Sequence, residues 1–254
     1  MSDPSEFPPL PRQPAQARSI DPFIVMDVMN EAYRRESAGE DIIHMEVGQP
    51  ATPAPRAARE RVAQAMAVES LGYTLSLGLP ELRERIAAYV KQRYGVVVRP
   101  NRVIVTAGSS AGFVLAFLAI LDHGDGFGLP SPGYPCYRQI LKALGFRPHL
   151  IETTAEGHWM PTPADVDALA GSDAAGLLLA SPNNPPGTMA TGTRLKELAE
   201  ACTRQGLWLI SDEIYHGLEY DVASKTALAY SDTAIVVNSF SKYFSMTGWR
   251  VGWL

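Results

Sequence analysis

Four short runs of apolar and β-branched residues constrain this chain most: residues 102–106, 176–181, 207–210 and 234–237. Each has strand length, and each ends in a loop rich in Gly, Ser, Pro or Asn. Between them lie helix-length segments with apolar residues at i, i+3 and i+4, such as Leu195, Leu198, Ala199 and Cys202. Strands that are apolar along their whole length are buried on both faces, and helices between consecutive strands carry the chain back to start the next one. The pattern therefore predicts an α/β domain, three layers αβα, with a mainly parallel sheet. Ligands of such sheets sit beyond the carboxyl ends of the strands. The loops after the strands are accordingly where function is sought.

Composition narrows the classes. With 254 residues, 46% hydrophobic and 19% charged, the chain has room for a sizeable core. A formal charge of -5 with no long basic run argues against nucleic acid as the main partner. Cys136 and Cys202 have no CxxC or histidine pattern near them, so no metal site is expected and small buried thiols of a reducing compartment are. The longest apolar run, residues 111–121, is too short to cross a bilayer. Residues 1–14 carry five prolines and no signal pattern, which predicts a poorly ordered arm over residues 1–20 of a cytoplasmic protein.

In chain order, Asp21 is placed to cap a helix with Phe23, Met26, Met29 and Tyr33 on one face and Gly39 as its stop. A strand is expected over residues 42–47, running into Gly48-Gln49-Pro50, which by itself is a plain turn. Residues 55–68 read as a second helix. A glycine-punctuated loop containing Tyr73 feeds a third helix opened by Pro80. After the strand at 102–106, Ala107-Gly108-Ser109-Ser110 opens an apolar helix; free N–H groups and the helix dipole make an anion site there, or the serines are ordinary caps. Prolines rigidify the turn that presents Tyr134. A Pro/Asn/Gly turn holding Asn184 follows the strand at 176–181, and Asp212 and Tyr215 follow the strand at 207–210. An acid at a buried strand end seeks a cation. His216 reads as an exposed loop histidine and receives no role, and neither does Glu213. No dinucleotide or nucleoside triphosphate glycine pattern occurs.

The strand at 234–237 delivers Ser239-Phe240-Ser241-Lys242, with Gly248, Arg250 and Gly252 beyond it. A partly desolvated lysine is a nucleophile toward an aldehyde, and hydroxyls with an arginine fork suit a phosphate. Amine and anion cradle together suggest a phosphorylated aldehyde.

This segment, with Asn184-Pro185-Pro186-Gly187, Asp212 through Tyr215 and the Tyr73 loop, resembles the class I/II aminotransferases, the fold-type I enzymes that use pyridoxal phosphate. The resemblance runs from about Asp21 to Leu254, with Pro186 where the family usually has threonine. It implies the large domain of the pyridoxal phosphate-dependent transferase fold over residues 51–254, with residues 21–50 contributing to a small domain whose C-terminal part is missing. It implies transfer of an amino group between an L-amino acid and a 2-oxo acid. Lys242 would be the Schiff-base lysine and proton carrier, with Asp212 on the ring nitrogen, and Tyr215 and Asn184 on the ring oxygen. Tyr134 would stack on the ring. Gly108, Ser109, Ser110, Ser239 and Arg250 would hold the phosphate, joined by Tyr73 from the neighbouring subunit of a homodimer. Gly48 and Asn184 would meet the substrate carboxylate. A lyase or synthase on the same scaffold, or an inactive cofactor-binding fragment, would use the same cofactor residues.

Overall fold

The computed structural model describes residues 20–254, so all but the last residue of the expected proline-rich arm lies outside it. The sheet has seven strands in the order β1-β7-β6-β5-β4-β2-β3. They are β1 Val105–Thr106, β2 Gly126–Ser131, β3 Arg147–Glu152, β4 Ala174–Ala180, β5 Trp208–Asp212, β6 Ile235–Ser239 and β7 Gly252–Trp253. β2 through β6 pair in parallel, whereas β7 runs antiparallel to both β6 and β1. The mainly parallel sheet expected from the alternation is what forms.

Helices α4 Gly108–Ile120 and α5 Pro135–Leu144 cover one face, and α6 Pro163–Ala170 and α7 Gly192–Gln205 cover the other. Consecutive strand residues point to opposite faces. Hence Leu177, Leu179 and Leu209 pack with Val166, Leu195 and Leu198, while Leu178, Ile210 and Val237 pack with Phe113, Phe117 and Leu141. Most of these side chains are fully buried, and each such burial stabilises the fold by about 1.5–3 kcal/mol. The apolar strand runs thus serve two cores at once. Helix α3 Pro80–Tyr94 packs Ile86 and Ala87 against Val103 and Trp253 in a third, smaller cluster.

Three expectations are corrected. Residues 42–47 form no strand, and Ile43 and Met45 stand exposed; alternation makes a strand only where the backbone pairs with a neighbour, and this segment pairs with none of the described strands, the edge strands β1 and β3 included. Asp21 caps nothing. Phe23 is the N-cap residue of α1 Ile24–Ser37, with no side-chain cap bond, and the Asp21 carboxylate instead pairs with Lys142 at 3.2 Å. The run at 102–106 is a strand only at its end, because Pro100–Arg102 forms a 3-10 turn, fixed by the proline at its start. α1 buries no side chain among the described residues, and its Ile24, Met26 and Tyr33 face solvent. Helix α2 Arg56–Val68 forms as expected, with an exposed Arg56–Glu60 pair.

Candidate active site

The parallel register sets the site. Ala180 of β4 lies beside Asp212 of β5, and Asp212 beside Val237 of β6. The loops after these strands therefore leave the sheet at one level, along its carboxyl edge. From the β4 loop, Asn184 Nδ2 donates to the Tyr215 hydroxyl of the β5 loop at 3.4 Å. From the β6 loop, Lys242 Nζ lies 5.8 Å from the centre of the Tyr215 ring. The same nitrogen donates to the Gly48 carbonyl oxygen at 3.0 Å, which brings the residue 48 turn over the lysine. A second tether, between the Thr52 and Ser245 hydroxyls at 2.8 Å, holds that segment down. Lys242 is half-buried, and burial lowers its amine pKa, opposed by the charge of Asp212. Ser239 Oγ accepts the Ser241 N–H at 3.1 Å, leaving its hydroxyl proton free to donate.

The turn between β1 and α4 forms an anion cradle. Gly108 has φ +81° and opens the helix, with Ser109 and Ser110 in the first turn, where N–H groups have no helical acceptor. The serines are not caps; Ala107 holds that position without a side-chain bond. β7 adds the cation. Its neighbour Arg250 adopts φ +55°, and Nη1 donates to the Thr247 carbonyl at 2.9 Å. The guanidinium lies directly over Gly108, so that a Cβ there would sit 2.8 Å from Cζ and closer still to Nη2. Gly252 brings the two segments together, since a Cβ on it would meet the Gly108 carbonyl carbon at 2.8 Å and the Ser109 nitrogen at 3.0 Å.

Asp212 is buried at the end of β5. Its carboxylate accepts from the Tyr137 hydroxyl of α5 and from the Ile214 N–H at 3.1 Å. Burial pushes its pKa up to about 6, opposed by these two bonds and by the charge of Lys242. Among the described residues no lysine, arginine or histidine forms an ion pair with it. Tyr134, half-buried at the N-cap of α5, packs edge-on to Tyr137 with ring centres 5.4 Å apart. Tyr137 had no role in the sequence reading. Its one signal is the spacing of three from Tyr134, which sets both rings on one helical face.

Glu213 and His216 are also buried, against the expectation of an exposed loop histidine. Glu213 accepts from Ala227 N at 2.8 Å, Thr226 Oγ1 at 3.0 Å and Ser211 Oγ at 3.2 Å, and burial pushes it up to about 7. His216 Nε2 lies 2.9 Å from the Ser181 carbonyl oxygen, which can only accept, so the proton is assigned to Nε2 and Nδ1 accepts from the Tyr94 hydroxyl at 2.7 Å. Burial draws its pKa down to about 4, so the ring is neutral. It ties α3 to the end of β4. A local spacing rule could not have found this, because the partners are more than 30 residues away.

Tyr73 is fully exposed. Cys136 and Cys202 are free thiols. A separate, mostly apolar cavity of about 700 Å³ is lined by Ile86, Tyr89, Val103, Leu115 and Trp253, away from Lys242. Among the described residues no group of His, Cys, Asp and Glu could hold a metal ion, and no helix is long and apolar enough to cross a membrane.

The family model "Aminotransferase class I and II" matches residues 40–254. The chain is 46% identical over 237 residues to the valine–pyruvate aminotransferase of Mycobacterium tuberculosis, covering 92% of this chain and 61% of that protein. Among solved structures, an aminotransferase from Mycobacterium tuberculosis superposes with a TM-score of 0.89 at 44% identity, covering 96% of this chain and 63% of that one. The aspartate aminotransferase of Thermus thermophilus superposes with a TM-score of 0.89 at 28% identity, covering 96% and 64%. The chain thus spans about three fifths of the length of the relatives it matches.

Proposed function

The chain belongs to the class I and II aminotransferases, a pyridoxal phosphate-dependent family, and on that premise we propose that its protein moves an amino group between an L-amino acid and a 2-oxo acid. The observation that carries this is the meeting of three chemically different groups at one sheet edge. A buried carboxylate with no ion-pair partner among the described residues, a half-buried amine, and an anion cradle roofed by Arg250 lie at the end of β5, on the loop after β6 and on the β1–α4 turn. A flat, cationic, phosphate-bearing aldehyde satisfies all three.

The residues present fit that cofactor. Asp212 has lone pairs to spare beyond its two donors and offers the negative charge that keeps a ring nitrogen protonated. Gly108 leaves the room that any Cβ would fill. Gly108, Ser109, Ser110, Ser239 and Arg250 hold the phosphate, Tyr134 offers a ring face, and Asn184 and Tyr215 donate to the ring oxygen. When bound, pyridoxal phosphate supplies an aldehyde and an electron-withdrawing ring that stabilises negative charge at the substrate α-carbon. Lys242, its amine made less basic by burial, carries the proton from that carbon. Asn184 and the Gly48 N–H receive the substrate carboxylate; the Gly48 carbonyl is already taken up by Lys242.

The complete site is shared between two copies of the chain, with Tyr73 reaching the neighbour's phosphate; its full exposure beside exposed Leu71, Leu75 and Leu79 supports this. Residues 51–254 form the large domain and residues 21–50 join a smaller one, which suits an α1 helix that buries no side chain here. Free thiols suit the cytoplasm. Valine and pyruvate, named for the 46% identical relative, are the first substrates to assay.

The test is to add pyridoxal phosphate, record the visible absorbance, reduce with borohydride and map the labelled peptide. The label is expected on Lys242 and absent from Lys242→Ala. Valine with pyruvate should then give a 2-oxo acid and alanine. Label on another lysine, or folded protein that takes none, refutes the cofactor assignment; release of ammonia in place of alanine refutes transamination.

A further inference from the structure

Tyr137 is assigned no part in holding the amine or the phosphate, yet it is buried with its hydroxyl against the acid at the end of β5. Its ring is wedged between Phe113, with centres 5.0 Å apart, and Tyr134, at 5.4 Å, both in edge-on contact. Between these rings the phenol sets its hydroxyl on Asp212 Oδ2. The Ile214 N–H takes Oδ1 at 3.1 Å. An ionised carboxylate can only accept, so both donors favour its charged form, and they fix the plane in which its remaining lone pairs lie.

We propose that Tyr137 is a positioning residue that holds Asp212 ionised and aimed at the ring nitrogen of the cofactor. This deepens the pyridoxal phosphate reading and rests on it. The titratable groups facing Asp212 are Tyr134 and Tyr137 from α5, Glu213 and Tyr215 from its own loop, and Lys242 from the β6 loop. Lys242 is the one cation among them, and it is the residue committed to the chemistry. The tyrosine and the Ile214 N–H are therefore the fixed supports of the charge. Tyr137 is well suited to the task, because burial raises its own pKa far above the ordinary tyrosine value and it stays a donor at every working pH.

Tyr137→Phe removes one oxygen and keeps the ring. The dissociation constant of pyridoxal phosphate is measured from pH 6 to 9 for wild type, Tyr137→Phe, Asp212→Asn and the double variant, with near-UV circular dichroism to verify packing. Losing a charge-assisted hydrogen bond raises the carboxyl pKa by about a unit or more. With the wild-type carboxyl at about 6, the single variant should thus bind about threefold or more weakly near pH 6.5, with the deficit closing toward pH 9 as Asp212 ionises in both proteins. Taking the ratio cancels titrations common to the two. In the Asp212→Asn background the second change should have no further effect. A deficit that is the same at all pH values, or that persists in the double variant where no carboxylate is left to hold, assigns Tyr137 to packing and overturns the proposal. Should wild type bind no cofactor, the cofactor reading falls and this with it; wild type that binds while Tyr137→Phe matches it at every pH overturns the proposal alone.

Discussion

Replacing Gly108 by alanine separates what the cradle does for the fold from what it does for the phosphate. At φ +81° an L-residue carries a steric cost of roughly 1–2 kcal/mol. The new methyl would also lie 2.8 Å from Arg250 Cζ and closer still to Nη2. Those atoms end a flexible side chain, so the guanidinium swings away and the clash adds little to the fold's loss. The departure matters for binding, because a hydrogen bond to a charged group contributes about 1.5–3 kcal/mol. At about 1.4 kcal/mol per tenfold, the Gly108→Ala protein should bind pyridoxal phosphate about 10- to 150-fold more weakly. Urea denaturation should show a lower midpoint with an unchanged slope. Pyridoxal, which lacks the phosphate, provides the internal control: its reaction with Lys242 should change less than about twofold on this reasoning. Adding Arg250→Met to Gly108→Ala should deepen the binding loss little, since the guanidinium has already left. Phosphate-ester affinity equal to wild type, or an equal loss for pyridoxal, would refute the cradle.

Gly252→Ala should be worse for the fold than Gly108→Ala, because its Cβ meets the Gly108 carbonyl carbon at 2.8 Å and the Asn238 carbonyl oxygen at 2.9 Å, backbone atoms that cannot swing aside; a loss of about 3 kcal/mol or more is expected by denaturation. The buried acid predicts a pH slope. Glu213 is raised from its ordinary 4.5 to about 7, so the folded state holds a proton that the unfolded state has lost between those values, and stability falls as pH rises through that window. His216, lowered from 6.5 to about 4, contributes the opposite slope between pH 4 and 6.5, where the unfolded chain binds the extra proton. Glu213→Gln should remove its own falling contribution between pH 4.5 and 7 and leave that of Asp212, raised from 3.8 to about 6, set against the rising contribution of His216, so the variant's stability should fall less with pH across that window, as read from denaturation midpoints; an unchanged profile would show that Glu213 is ionised throughout.

Much of the fold was legible because its signals are local. The apolar runs at 176–181 and 207–210 and the Leu195, Leu198, Ala199, Cys202 stripe became β4, β5 and α7 with those faces buried, since strand and helix periodicities act within a few residues. Lys242, Asp212 and Asn184 could be picked out by their place after strands, because a parallel sheet sends all such loops to one edge. Legibility failed where a residue's state depends on distant partners. His216 has the local look of a loop histidine and is buried by Tyr94 and the Ser181 carbonyl. Residues 42–47 have strand composition and pair with none of the described strands.

The sequence by itself therefore determined most of the element types, their order and the edge to which the loops after the parallel strands lead, because patterning and turn chemistry are short-range. Only the tertiary structure decided that β7 returns antiparallel to set Arg250 over Gly108, and that Tyr137 reaches Asp212 across 75 residues of chain. Those contacts arise from packing two cores on one sheet, and no pattern confined to neighbouring residues encodes them.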